Sequence, residues 1–230
     1  MKENDMITEQ MICNAGLYPY QPDMLAQFPE SLHKYCGRGL GLWQYPNQFA
    51  PYLNKVLENK VDSYLEIGVG AGGTFTFTST ELIKAGCRSC FAVDVAPIGK
   101  VAVVSNEGDP FEGKLAAFIE ANPECSFHQG TGTDFLTSHR PYPVDFALID
   151  GDHSYAGVTK DWLTVVGRAR IIAIHDISNQ SVPGVGRFWN EIKNSRFYHS
   201  FEFTQQYEEG KSFLGIGLMI QKQVMSGGAF

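Results

Sequence analysis

Two short stretches of the chain carry side chains able to do chemistry. Asp150-Gly151-Asp152-His153 follows an apolar run at 146–149, and His175-Asp176 follows a second apolar run at 171–174. Carboxylates and imidazoles at the ends of two adjacent buried strands form a ligand set for a divalent ion such as Mg²⁺ or Mn²⁺. Asp150, His175 and Asp176 are the candidate metal ligands. An ion held there would lower the pKa of a bound hydroxyl and fix its direction. His153 has an ordinary pKa suited to taking the released proton, and Asp152 is the rival base. Each residue alone has a plainer reading. Asp150 can cap a turn, Asp152 or Ser154 can cap a helix, and His175 can be a hydrogen-bonded histidine at a strand end. Convergence from two strands is what points to a site. Asp150-Gly151-Asp152 also matches the DxD of metal-dependent glycosyltransferases, but the loop described next argues against that reading.

The second chemical signal is Tyr64-Leu65-Glu66-Ile67-Gly68-Val69-Gly70-Ala71-Gly72-Gly73-Thr74. An apolar strand runs into a glycine turn that feeds a helix, whose free N–H groups then face a ligand. Glycine allows positive φ and close approach of a ligand to the backbone. A second strand ends in Asp94, at the roughly 20-residue spacing where a carboxylate reaches the ribose hydroxyls of a nucleoside. Glu66 just before the glycines suits a cationic methionyl group better than a pyrophosphate. The GxGxG spacing also differs from the dinucleotide GxGxxG. The expected cofactor is S-adenosylmethionine, held by Glu66, Gly68, Gly70, Gly72 and Asp94. Gly130 and Thr131, after the third strand, would border its adenine, although a plain turn with a capped helix explains them equally well.

These groups need a scaffold. Apolar runs at 63–67, 90–95, 125–128, 144–149 and 171–174 alternate with stretches long enough for helices. That pattern predicts a Rossmann-like, doubly wound α/β fold with a mostly parallel sheet. Runs at 201–207 and 213–220, separated by Glu208-Glu209-Gly210-Lys211, predict a C-terminal antiparallel hairpin. A helix is expected over 154–166, capped by Ser154 and ended by Gly167. Another is expected around 49–57, with Asn47 as cap and Pro51 confined to its first turn. Thr74-Phe75-Thr76-Phe77-Thr78 alternates like a strand, but the glycine turn before it favours helix. Residues 1–45, broken by glycines and prolines, read as an irregular N-terminal arm or lid, and 46–230 as the main domain.

The segments LEIGVGAGGT, VDV, FALIDGDHSYAGVTKDW and IIAIHDI, in this order, resemble the bacterial O-methyltransferase family that includes macrocin O-methyltransferase and cephalosporin hydroxylase-like proteins. More distantly they resemble the catechol and caffeoyl-CoA O-methyltransferases. The likeness spans roughly residues 40–220. It implies the class I methyltransferase fold and Mg²⁺-assisted methyl transfer to a hydroxyl. Asp150 matches the family's first metal ligand. His175-Asp176 falls where the family commonly has Asp-Asp or Asp-Asn, so His175 departs from the pattern and either changes the metal or stands behind it. His153 falls where relatives carry a His or Lys base. The family also contacts cofactor just before the first helix, which points to Trp43, Gln44 and Tyr45. Arg187, in a glycine-rich helix entry, is either a contact for an anionic substrate group or a surface arginine.

Composition sets the bounds. A net charge of −7 over 230 residues argues against a nucleic-acid surface. No apolar run is long enough to span a membrane, and the polar start of the chain lacks a secretory pattern. Five scattered cysteines suit reduced thiols, and Cys87-Arg88-Ser89-Cys90 reads as two small residues entering a strand. The expectation is therefore a cytoplasmic enzyme acting on a sugar, polyol or phenol hydroxyl, with a homodimer suggested by analogy. The competing readings are a methyltransferase-like protein that binds the cofactor without turnover, and an NAD-dependent oxidoreductase.

Overall fold

The structure, a computed structural model, describes residues 6–100, 108–138 and 144–222. Its centre is a seven-stranded sheet in the order β3-β2-β1-β4-β5-β7-β6. The strands are β1 (Ser63–Ile67), β2 (Ser89–Asp94), β3 (Cys125–Gln129), β4 (Val144–Ile149), β5 (Ala169–His175), β6 (Tyr198–Phe203) and β7 (Ile216–Gln221). The first five are parallel, and β7 runs antiparallel to both β5 and β6. The strand order reverses beside β1, and in open α/β sheets the carboxyl ends of the strands at such a point, here β1 and β4, are where ligands bind.

Alternation along each strand splits the core into two layers. Tyr64, Phe146, Leu148, Ile171 and Ala173 face one side, against helices α4 (Pro46–Leu57), α5 (Gly73–Lys84) and α6 (Lys114–Ala121). Leu65, Ile67, Ala147, Ile149, Ile172 and Ile174 face the other, against α7 (Gly132–Ser138), α8 (Tyr155–Val165) and α9 (Pro183–Ile192). Strands buried on both faces read as continuous apolar runs, which is how they appear in the sequence.

The Thr-Phe alternation at 74–78 is helical, within α5. Its side chains are buried all round, so tertiary packing overrides the weak propensity of the β-branched threonines. Ser154 caps α8 as expected, accepting from Gly157 N–H at 3.0 Å.

Three expectations are corrected. The arm is not irregular: it carries the short helices α1 (Glu9–Ala15), α2 (Pro22–Leu25) and α3 (Glu30–His33). Ile12, Leu17, Phe28, Leu32 and Leu42 of the arm share one core cluster with Phe49 and Tyr64. Helix α4 starts at Pro46 with Tyr45 as cap, so Asn47 is no cap and Pro51 sits inside the helix. The antiparallel hairpin is present, but its strands stop at Phe203 and resume at Ile216, short of the expected bounds. Residues 204–215 leave the ladder and fold onto α4, where Gln48 Oε1 accepts from Gly215 N–H at 2.9 Å and Gln48 Nε2 donates to the Gln205 carbonyl at 2.9 Å.

Candidate active site

The glycine loop is wired to its neighbours by backbone contacts. Gly68, Gly70 and Gly72 all have positive φ, at 85°, 48° and 87°. Gly68 N–H donates to the Val93 carbonyl at 2.8 Å. A methyl group at Gly68 would lie 2.2 Å from the carbonyl oxygen of Asp150, so the loop and the end of β4 touch. Asp94 Oδ2 accepts from the N–H groups of Val69 and Gly70, each at 2.9 Å, and Oδ1 accepts from Ala96 at 2.8 Å. Asp94 thus braces the loop in this state. Helix α5 begins at Gly73 without a side-chain cap, which leaves its first N–H groups for a ligand.

The other expected cofactor residues take distinct places. Glu66 is buried on the α4–α5 side of β1, and its carboxylate accepts from the Tyr64 hydroxyl. Burial is the main reason its pKa stands well above the ordinary carboxylate value, and the nearby Asp150 adds to it. Gly130 adjoins β2, its N–H donating to the Asp94 carbonyl at 2.8 Å. Thr131 exchanges hydrogen bonds with Asp134 across the start of α7. Ala71, in the glycine loop, packs under Tyr18 and Phe111, whose rings stack at 5.0 Å. Trp43 meets Tyr18 edge-on at 5.5 Å. Phe111 was not anticipated, because it lies in an irregular stretch with no periodicity to mark it.

The acidic cluster forms where the register predicts. Ile149 pairs with Ile174, so Asp150 and His175 emerge side by side. His153 Nε2 lies 3.2 Å from Asp150 Oδ1 and 3.1 Å from Asp176 Oδ2. One ligand atom each from Asp150, His153 and Asp176 falls within 4.8 Å of the other two. His175 Nδ1 is 3.1 Å from Asp150 Oδ1 and 3.6 Å from Asp176 Oδ1. The nearer contact is off the line of a hydrogen bond, so this buried nitrogen has no hydrogen-bonding partner. The other ring nitrogen, Nε2, sits 3.0 Å from Gln44 Oε1. Asp176 adopts φ 65°, a left-handed conformation that aspartate tolerates better than most residues. Asn179 Nδ2 donates to Asp176 Oδ1 at 3.0 Å. Asn179 escaped the sequence reading, although a polar residue one turn beyond the acid was a usable signal.

Electrostatics follow from the geometry. Hydrogen bonds to Asp150 and Asp176 raise the pKa of His153 to about 10, against the opposing effect of burial. Burial also disfavours the charged forms of Asp150, Asp176 and His175. The attraction between the imidazoles and carboxylates outweighs it, holding both acids below their ordinary range and His175 above its own. Asp152 stands apart. It is exposed, and its Oδ1 accepts from Ser154 N–H at 2.8 Å in the first turn of α8. Trp43 and Tyr45 belong to the arm's aromatic packing, with Tyr45 Oη donating to the Gln27 carbonyl at 3.1 Å. Arg187 pairs with Glu191 on the surface of α9 and lies over Tyr155.

Both halves of this arrangement fall within residues 65–177, which match the family described as methyltransferase domain. This stretch is a methyltransferase domain, and the sheet that carries it has the class I methyltransferase fold. Solved structures of other proteins share this fold at low identity. TomG, the O-methyltransferase of tomaymycin synthesis from Streptomyces achromogenes, solved with S-adenosylmethionine, is 14% identical with a TM-score of 0.54, over 96% of this chain and 99% of that one. Cofactor-bound Rv0187 from MTB is 13% identical with a TM-score of 0.57, over 92% and 95%. An rRNA methylase from Streptococcus thermophilus is 11% identical with a TM-score of 0.56, over 76% and 97%. A comparison with curated proteins gave no match.

Proposed function

We propose that this methyltransferase transfers the methyl group of S-adenosylmethionine to a hydroxyl of a small molecule, assisted by a divalent ion. The observation that carries the proposal is the contact between Gly68 and the Asp150 carbonyl, which sets the cofactor loop directly against the carboxylate–imidazole cluster. The cofactor would lie along Gly68, Gly70 and Gly72, with its ribose toward Asp94 and its adenine toward Gly130 and Thr131. Glu66 would act from beneath the loop, where a cationic group above it would favour the ionised form that burial alone disfavours. The arm, residues 1–45, would serve as a cover through Tyr18 and Trp43 over Ala71.

The donor set fits a divalent ion on two counts: two carboxylates converge from adjacent strands, and His175 Nδ1 is a buried nitrogen without a partner. Asp150, Asp176 and His175 would hold the ion. When bound, it would lower the pKa of the acceptor hydroxyl and fix its direction. His153 would accept the proton. With the two carboxylates committed to an ion, His153 loses the charges that keep it cationic and becomes a neutral base at Nε2. Asp152 is the weaker candidate for this role because its carboxylate is already engaged by the helix start.

The acceptor would be a sugar, polyol or phenol, since vicinal oxygens chelate well. The net charge of −7 favours such an acceptor over RNA, despite the rRNA methylase among proteins of this fold. Among the described residues no helix is long and apolar enough to cross a membrane. Calorimetry of the metal-free protein with S-adenosylmethionine, repeated with added divalent ion and with Asp150→Ala, tests the proposal. Cofactor binding plus a separate ion site that the variant loses is the expected result. Absence of cofactor binding under every condition overturns it.

A further inference from the structure

We infer that His175 makes this a mixed nitrogen–oxygen site that selects a late first-row divalent ion, such as Co²⁺, over Mg²⁺, and that Gln44 sets the imidazole for that task. The inference rests on the divalent-ion reading above and names which ion the residues favour.

The ligand–ligand distances come first. Bonds of about 2.0–2.2 Å to nitrogen and oxygen place neighbouring donor atoms about 3.0–3.5 Å apart. His175 Nδ1 lies 3.1 Å from Asp150 Oδ1, within that range, and 3.6 Å from Asp176 Oδ1, just beyond it. The nitrogen is also buried and makes no well-aligned hydrogen bond, although both carboxylates face it. The rest of the ring is held from behind. Gln44 Oε1, on a residue 1% exposed, is 3.0 Å from Nε2, and Gln44 Nε2 reaches Thr74 Oγ1 at 3.4 Å. An amide carbonyl facing Nε2 requires a proton there. In the neutral ring that an ion would need, the lone pair then falls at Nδ1, the nitrogen that faces the two carboxylates. An outer partner of this kind fixes the tautomer and orientation of a metal-binding histidine.

The choice of ion follows from donor type. Mg²⁺ takes oxygen almost exclusively, whereas imidazole suits the transition ions, with affinity rising from Mn²⁺ toward Cu²⁺. His153 also touches both carboxylates, but it is the more exposed of the two rings and the stabiliser of the ion-free cluster. It stays the base, and Gln44 is a positioning residue that acts only through His175.

The experiment titrates chelator-treated protein with Co²⁺ and with Mg²⁺ by calorimetry, and records the absorption and spin-echo spectra of the Co²⁺ form. One Co²⁺ per chain is expected, bound at least about a hundredfold more tightly than Mg²⁺, with a signal from a coordinated imidazole nitrogen. His175→Ala should remove that preference, and Gln44→Leu should weaken Co²⁺ binding by about 10–100-fold. His153→Ala should keep the preference. Equal affinities for the two ions, the absence of a nitrogen signal, or a preference lost in His153→Ala but kept in His175→Ala would overturn the inference. Because the wild-type protein gives the first two readouts, a variant that fails to fold does not shield it. S-adenosylmethionine titrated into the ion-free protein separates the two levels. Cofactor binding without Co²⁺ preference sinks this inference alone, and Co²⁺ selection without cofactor binding sinks the proposed transfer but not the site.

Discussion

Gly68→Ala should destabilise the protein well beyond the cost of its backbone conformation alone. Gly68 has φ 85°, where an L-residue pays about 1–2 kcal/mol relative to glycine. The added methyl would also sit 2.2 Å from the Asp150 carbonyl oxygen and 2.5 Å from Gly151 Cα. Those neighbours are backbone atoms just past the end of β4, tied to β1 where Asp150 N–H donates to the Ile67 carbonyl at 2.8 Å, so they cannot swing away as a side-chain tip would. Relieving the overlap means parting β1 from β4 by about 1 Å, at the ~1–3 kcal/mol typical of overpacking. Gly86 is the control: its φ is 100°, yet nothing lies within 4 Å of an added methyl. Gly86→Ala should therefore show the backbone cost alone. In urea, with a slope of ~2–3 kcal/mol/M, the two midpoints should differ by about 0.5–1 M. The same displacement moves Asp150, so ion affinity should fall in Gly68→Ala and stay unchanged in Gly86→Ala. Equal midpoints for the two variants would refute the claim that the glycine loop and the end of β4 are in contact.

Three further outcomes follow from packing and charge. Asp161, buried in α8, has its pKa raised to about 6, chiefly by burial, with Lys160 opposing and Asp152 adding. Because the folded-state value exceeds the unfolded one, ionisation costs stability, with no penalty below about pH 4 and the full penalty above pH 6. Asp161→Asn should thus stabilise the fold by about 1–2 kcal/mol at pH 7.5, after discounting for partial exposure, and by almost nothing at pH 4; thermal melts at the two pH values check this. In ion-free protein the raised pKa of His153 stabilises the fold fully below about pH 6.5, and this contribution fades as pH rises toward 10. His153→Gln should flatten that part of the stability–pH curve, and an unchanged curve would contradict the pairing. Leu17→Ala, at a fully buried arm position, should cost about 2–5 kcal/mol and lower the single whole-chain transition, whereas a separate arm transition would mean the arm folds apart from the sheet.

The parts legible from sequence are those whose physics is local or periodic. Strands buried on both faces write themselves as apolar runs, and a glycine turn between strand and helix is set by backbone conformation, so the sheet, the loop and the convergence of Asp150 with His175-Asp176 could all be read. The register that aligns Ile149 with Ile174 needed only the assumption that consecutive strands pair. What escaped depends on contacts distant in sequence. The helices of the arm are too short for periodicity to reveal and are held by burial against β1 and α4. The strands of the tail are shorter than its apolar runs because Gln48, on α4, offers its amide to the backbone around Gly215 and Gln205. Gln44 is the sharpest case. Sequence likeness pointed to it as a cofactor contact, yet its carbonyl lies against the His175 ring from behind. A residue departing from a family pattern, His175, thus meets a side chain 131 positions away that faces one of its two ring nitrogens. Spacing along the chain cannot disclose such a pairing, because neither partner has a periodic reason to be there. The two have to be read together, since a histidine in place of an acid alters the chemistry of the site only when the face turned toward the carboxylates carries the lone pair.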